Sequence, residues 1–295
     1  MTSYARVLKG NPYHDAKGLF ATKDHGGALP DVSTWRQIAP SLGSNPGGVF
    51  EDPQGRRHFI KFPQHNSEQA NAEKLSDSIY RALGIPAKDS RLVTAEGHLG
   101  LASPMLVGSH EIGAAGVNAS PDVKAGYVAD AYQASWDVFG AVYDNILASG
   151  GRHYRVDNGG TMFFRAQGEQ KAFPADRVDE LESLIAPGRQ GRKAFAGLTQ
   201  ADVAAQAAHL VTTLTNDKLV QLIAEAGLTG DRAKAYQTAL QGRRDVLAKH
   251  FRVQKCECED PKRKKKKKFK RIQGLYQEVP MDTDAIQASL DKANS

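Results

Sequence analysis

The chain has 295 residues, 40% of them hydrophobic, with 39 Lys and Arg against 33 Asp and Glu. That apolar content supports a core for one two-lobed domain or two small ones, while no apolar run approaches the roughly 20 residues needed to span a bilayer. The net charge of +6 is local: residues 262–271 carry nine basic residues and no acid, and without them the remainder stands at −3. Residues 1–40 scatter Gly, Pro and His with no period and read as a loosely ordered arm. Met1 to Lys9 lack the apolar stretch of a secretory signal.

From Leu42 the character changes. Gly43-Ser44-Asn45-Pro46-Gly47-Gly48 precedes Val49-Phe50, a turn at Asp52-Pro53-Gln54-Gly55, and then His58-Phe59-Ile60-Lys61-Phe62. That is strand, hairpin turn, strand. Ala70, Leu75, Ile79 and Leu83 lie near helical spacing over 67–83, and Gly84 with Pro86 stops the helix. Residues 91–95 and 99–107 read as two further strands, which completes a small β-β-α-β-β unit.

The second half is mainly helical. A helix is expected over 128–142, feeding a hairpin that turns at Gly150-Gly151, then a strand over 161–165. Helical blocks follow at 178–185, 200–214, 217–226 and 231–251. No internal repeat is visible.

Chemistry concentrates on that hairpin. Asp144-Asn145 and Asp157-Asn158 flank it, and a hairpin brings its outer ends together. Asn145 and Asp157 would then offer an amide oxygen and a carboxylate to one point, a donor set suited to Mg²⁺ with phosphate and water completing the shell. The same pairs also fit plain Asx turns. Upstream, the Gly43–Gly48 loop precedes a strand and is answered by Lys61 on the next one. Of the two helix acids, Glu73 precedes the buried positions Leu75 and Ile79, whereas Glu68 sits in the first turn, where the helix dipole alone explains an acid.

In this order, Gly43 to Gly48, Phe59-Ile60-Lys61, Asn71-Ala72-Glu73, Asp144-Asn145-Ile146-Leu147 and Arg155-Val156-Asp157-Asn158-Gly159-Gly160 resemble HipA-type kinases and, more closely in the hairpin, type II phosphatidylinositol 4-kinases. Kinase-like modules of bacterial effectors and phage-associated proteins are similar too. The resemblance spans about residues 42–250. It implies an α+β, two-lobed protein-kinase-like fold, with a small β-rich N-lobe over 41–107 and a mainly helical C-lobe over 108–252. It further implies that Gly43, Ser44, Asn45, Gly47, Gly48, Lys61 and Glu73 bind ATP, with Lys61 and Glu73 as an ion pair, and that Asn145 and Asp157 hold Mg²⁺. The expected activity is transfer of the γ-phosphate to a hydroxyl of a protein Ser/Thr or of a phosphoinositide. Ser44 is a candidate autophosphorylation site by the same resemblance.

One departure stands out. Protein kinases place the catalytic Asp five residues before the metal-binding Asn, and here that position is Gly140. Asp137 is the preferred base and Asp144 the other candidate; on a continuing helix they would share a face two turns apart. Failing both, the chain would be an inactive kinase-like structural or nucleic-acid-binding protein, or would use ATP for another transfer such as adenylylation. Arg165 and Lys171 are candidates for phosphoryl charge or an acidic substrate, and equally for plain surface residues.

Residues 253–295 are expected to form a disordered polybasic tail. Its two cysteines, Cys256 and Cys258, are too close for an ordinary structural disulfide and too few for a protein-only zinc site. The run 262–271 fits an anionic membrane surface, with Cys256 and Cys258 as acylation sites, a nucleic acid or nuclear-import patch, or a solvated tail. The expected location is the cytoplasm of the producing cell or the interior of a host cell after delivery.

Overall fold

The sheet starts one strand earlier than the sequence places it. In the computed structural model, which describes residues 28–41, 45–63 and 66–253, β1 (Arg36–Pro40) pairs antiparallel with β2 (Gly47–Glu51), and β2 with β3 (Arg57–Lys61). Residues 36–40, expected as part of the arm, are thus an edge strand, anchored by buried Val32 and Trp35. The β2–β3 turn closes because Asp52 accepts the N–H groups of Gln54 and Arg56, both at 2.9 Å, the Asx geometry its sequence promises. After α1 (Glu68–Ala82), β4 (Arg91–Ala95) and β5 (His98–Pro104) complete a five-stranded sheet in the order β1-β2-β3-β5-β4. The β-β-α-β-β reading therefore holds, with one strand added in front.

One face of the sheet buries Trp35, Phe50, Ile60, Phe62, Val93 and Ala102 together. On the other, Leu92 and Leu101 pack against Ala70 of α1. The helix starts where Asn66 accepts the Glu68 N–H at 2.9 Å and stops at Gly84, whose φ of +72° only glycine adopts without strain. Leu75, Ile79, Tyr80 and Leu83 carry its far side into the main core, which runs on through the helical part.

That part begins with β6 (His110–Glu111), α2 (Gly113–Ala119), α3 (Pro121–Ala125) and α4 (Tyr127–Tyr132). The expected hairpin is present as β7 (Ile146–Ser149) and β8 (Arg152–Arg155), turning on Gly150 and Gly151 at positive φ, and β6 joins it as a third strand. Helices α5 (Glu180–Ser183), α6 (Gly191–Ala194), α7 (Gln200–Thr213), α8 (Asn216–Glu225) and α9 (Gly230–His250) follow. The described residues are mixed α+β and belong to one compact unit, Met1–Cys256. Gly43, Ser44, Cys256, Cys258 and the run 262–271 lie outside them.

Two expectations fail for one reason. The helix expected over 128–142 ends at Tyr132, and 161–165 forms turns rather than a strand. Carbonyls that would continue the helix are taken from elsewhere. Arg243 of α9 donates to Ala131 and Tyr132, each at 2.9 Å. Gln133 O accepts the Met162 N–H at 2.7 Å and the Thr161 hydroxyl at 2.9 Å, and Ala134 O accepts Lys171 at 2.5 Å. Met162 takes φ +51° to make its bond, which breaks strand alternation.

A buried ion pair fixes the hairpin to α4. Arg155 donates to both oxygens of Asp130, at 2.8 and 2.7 Å, and Tyr80 donates to the same carboxylate at 2.8 Å. Gly126 is required beside it, since a Cβ there would meet the guanidinium at 2.2 Å.

Candidate active site

Lys61 is the last residue of β3, and the alternation of that strand turns it inward toward α1. Its ammonium lies 2.7 Å from Glu73 Oε2 and 2.8 Å from Asp157 Oδ1. Three of the residues singled out from sequence, 96 positions apart at the extremes, therefore meet at one nitrogen. Burial pushes the Lys61 ammonium toward neutrality, but Glu73 and Asp157 outweigh it and hold the group charged beyond its ordinary range. Burial likewise raises the Asp157 carboxyl, and the charges of Lys61 and Lys88 more than reverse that, so it sits below the usual carboxylate range.

The glycine loop divides. Gly47 and Gly48 are not in a loop but in β2, opposite Lys61 and Ile60. Their φ values are +142° and +141°, and a Cβ would stand 2.0 Å from Ile60 O and 2.2 Å from Ala39 O respectively. Close strand packing accounts for both glycines. Asn45 lies in the segment joining β1 to β2, directly before Pro46, whose carbonyl accepts the Phe62 N–H at 2.8 Å.

At the hairpin base, Ile146 pairs with Arg155, and the Val156 N–H donates to Asn145 O at 3.1 Å. Asn145 and Asp157 thus come to the same end, as the hairpin argument requires. Asn145 Nδ2 donates to Asp137 O at 2.8 Å. Only the nitrogen can face a carbonyl, so the amide oxygen is the free end. The Asp157 side chain is 55% exposed, whereas Glu73 is fully buried. The donor set fits a metal completed by phosphate: among the described residues no three His, Cys, Asp or Glu side chains form a cage, while one carboxylate and one amide oxygen suit Mg²⁺ that keeps its remaining positions for phosphate and water.

The two base candidates do not share a helix face, because the helix has ended before them. Asp137 is half-buried; burial, then the charges of Asp157 and Asp144, raise its carboxyl above the ordinary value. Asp144 is exposed. Gly140 has φ +68°, and a Cβ on it would fall 2.0 Å from Asp144 Oδ1. The space that a side chain at position 140 would enter is filled by the Asp144 carboxylate.

Several contacts have no counterpart in the sequence reading. Lys88, buried between α1 and β4, donates to Glu73 Oε1 at 2.9 Å. Asp77, fully buried, accepts from Ser90 Oγ at 2.5 Å and from Asn158 Nδ2 at 2.7 Å. Gln69 donates to Gly159 O at 3.3 Å and Ala166 O at 3.2 Å. The readable signal is the spacing of Gln69, Glu73 and Asp77 at i, i+4, i+8, which lines three polar side chains along α1. Lys171 is buried against Gly160 O and the Trp136 ring, and burial, helped by Arg165 and Arg243, lowers it to about 7. Arg165 stays at the surface beside Glu169, and Glu68 pairs with Arg232 and Tyr236 of α9.

No family model matches the chain, and no curated protein matches its sequence. Among solved structures it is similar to the Helicobacter pylori proinflammatory kinase CtkA, with a TM-score of 0.50, 13% identity, and coverage of 74% of this chain and 95% of that one. It also aligns with the Shewanella oneidensis HipA–HipB toxin–antitoxin complex with operator DNA at TM-score 0.42 and 14% identity, covering 75% and 69%. An N-terminal fragment of LepB from Legionella pneumophila aligns at TM-score 0.35 and 14% identity, covering 68% and 46%. At this identity the CtkA likeness shows the fold alone: kinase-like.

Proposed function

We propose that the chain is a two-lobed, ATP- and Mg²⁺-dependent kinase that transfers the γ-phosphate to a hydroxyl of a protein Ser/Thr or of a phosphoinositide. The observation that carries this is the meeting of Lys61, Glu73 and Asp157 at one ammonium. A strand lysine held by a helix glutamate and facing a solvent-accessible aspartate is the arrangement a kinase needs at its phosphates. The solved structure with the higher TM-score is itself described as a kinase.

In this reading Lys61 binds the α- and β-phosphate oxygens, and Glu73 keeps it aimed there. Asp157 and the Asn145 amide oxygen would hold the metal, which would supply charge neutralisation at the phosphates. Asp137 takes the proton of the acceptor hydroxyl as the new P–O bond forms and the bond to the β-phosphate oxygen breaks, releasing ADP. Its raised carboxyl brings it closer to the range of an effective general base. Autophosphorylation at Ser44 belongs to the same proposal. So does attachment of residues 262–271 to an anionic membrane or nucleic acid, in the producing cell or a host cell.

The reading is tested by incubating the protein with labelled ATP and Mg²⁺, alone and with protein or phosphoinositide acceptors, and locating label by mass spectrometry. Label lost in Lys61→Ala and Asp157→Ala supports it. One observation favours a second reading: with Gly140 in place of the usual Asp, the chain would be an inactive kinase-like structural or nucleic-acid-binding protein of a phage or secreted system. Unlabelled protein that shifts DNA in a salt-sensitive manner would favour that one.

A further inference from the structure

Helix α1 buries three acid or amide side chains alongside its apolar ones. Gln69, Glu73 and Asp77 are 2%, 0% and 0% exposed, and their spacing of four puts them in one row along the helix. Each reaches the 157–160 turn or the lysine that contacts it. Gln69 holds Gly159 O, Glu73 holds Lys61, which holds Asp157, and Asp77 holds Asn158. Gly159 packs into the row so closely that a Cβ would stand 3.0 Å from Glu73 Oε2 and 3.2 Å from Gln69 Nε2.

The opposite edge of α1 is tied down as well. Asn71 donates to Ala226 O at 2.7 Å, and Glu68 accepts from Arg232 Nε at 2.7 Å and Tyr236 at 3.1 Å. A helix held on both edges does not swing freely about its axis. Its position and that of the turn are one variable.

We propose that Asp77 is a positioning residue, latching α1 to the turn through Asn158 so that the Asp157 carboxylate is set for the metal. The proposal rests on the reading above that Asp157 is a metal ligand. Asp77 accepts and cannot donate when ionised, so it fixes which end of the Asn158 amide faces it. Ser90 occupies the second oxygen and keeps the carboxylate from rotating. Asn158 has no freedom to turn, and its neighbour in the chain is the residue whose direction matters. Partners one step removed from a metal ligand commonly carry about 10- to 100-fold of affinity or activity, because they set ligand orientation.

The test uses the full chain and three variants, Asp77→Ala, Asp77→Asn and Asn158→Ala, with the Asp77→Ala/Asn158→Ala double. Each is assayed well below its own melting temperature for kcat, KM for ATP, and the Mg²⁺ concentration giving half-maximal nucleotide binding. Asp77→Ala is expected to raise the Mg²⁺ requirement and lower kcat by about tenfold or more, with KM for ATP changed less than either. Asp77→Asn keeps an oxygen for Asn158 and is expected to restore most of both. The double variant is expected to be no worse than the worse single, because both remove one contact. A variant Asp77→Ala that melts earlier but keeps its Mg²⁺ requirement and kcat would overturn the latch. So would an Asp77→Asn as impaired as Asp77→Ala. Wild-type protein that binds no nucleotide at any Mg²⁺ concentration would instead remove the kinase reading, and the latch with it.

Discussion

Lys61 and Lys88 share one carboxylate: the first lies 2.7 Å from Oε2 of Glu73 and the second 2.9 Å from Oε1. The Lys61–Glu73 ion pair is part of a buried triad with unequal consequences for its members. Removing Glu73 takes from buried Lys88 its hydrogen-bonded carboxylate and leaves Lys61 with Asp157 alone, whereas removing Lys61 leaves Glu73 still neutralised by Lys88.

Lys61→Ala is therefore expected to fold with a modest loss of stability while nucleotide binding disappears. Glu73→Ala is expected to cost about 3–5 kcal/mol, the penalty typical of breaking a buried pair. Thermal melts of both variants with and without Mg²⁺-ATP separate the two effects. Equal destabilisation by the two substitutions would contradict the inequality.

Asp77 adds a pH dependence of unusual sign. Burial first, and the neighbouring Glu73 charge, raise its carboxyl to about 6, against the pull of Lys88, Ser90 and Asn158. A carboxyl raised in the folded state binds its proton more tightly there than in the unfolded chain. Stability from this group is therefore greatest below about 4 and falls as pH rises toward 6. Once the carboxyl is ionised in both states, its burial costs on the order of 3 kcal/mol. Asp77→Asn should accordingly melt higher than wild type at about pH 7.5, and the difference should shrink steadily as pH falls to about 4.5. A difference independent of pH would show that burial does not oppose ionisation of this carboxyl.

Lys171 contributes an opposite slope at higher pH. Its ammonium is lowered to about 7 from an ordinary 10.5, so between these values the unfolded chain holds a proton that the folded one has lost. Stability then rises with pH across that window, by up to ~1.4 kcal/mol per pH unit. Lys171→Met lacks the group, and its melting temperature should gain less than that of wild type between about pH 7 and 9. Parallel profiles would place the lysine in water rather than against Trp136 and Gly160.

What could be read from sequence follows from which contacts are local. The Gly150-Gly151 hairpin, the Asp52 turn and the α1 stripe of Leu75 and Ile79 depend on neighbours a few residues away, and each stands where periodicity and turn chemistry place it. The end of α4 was not readable, because Thr161, Lys171 and Arg243 take its carbonyls from 28, 37 and 112 residues later. Gly47 and Gly48 were read as loop residues since their cause, the backbone of Ile60 and Ala39, is a tertiary contact. Motif order singles out Lys61, Glu73, Asn145 and Asp157, and the structure brings Lys61, Glu73 and Asp157 to one nitrogen with Asn145 at the same end of the hairpin. Lys88 carries no such signal, for nothing near it in sequence distinguishes a buried charge from a surface one, and Asp77 shows only the spacing of four that sets it in a row with Gln69 and Glu73.

The last prediction concerns the base. Restoring a protein-kinase pattern by Gly140→Asp should not raise activity. The substitution forces a φ of +68° on a side-chain-bearing residue, and its Cβ would stand 2.0 Å from Asp144 Oδ1 and 3.1 Å from Asn145 Cγ. The new residue would displace Asp144 and disturb the Asn145 amide, so loss of activity is expected. Asp137→Asn and Asp144→Asn divide the remaining possibilities. Asp137 is the half-buried acid whose carboxyl is raised by its surroundings, and its backbone oxygen also orients Asn145, a contact that Asn preserves. Asp137→Asn should thus lower kcat by roughly 10²–10⁴, the usual contribution of a general base, with KM for ATP little changed and the acidic limb of the kcat profile lost. Asp144→Asn should keep that limb. If the limb vanishes in Asp144→Asn and survives in Asp137→Asn, the proton goes to Asp144, the carboxylate that already fills the space beside Gly140.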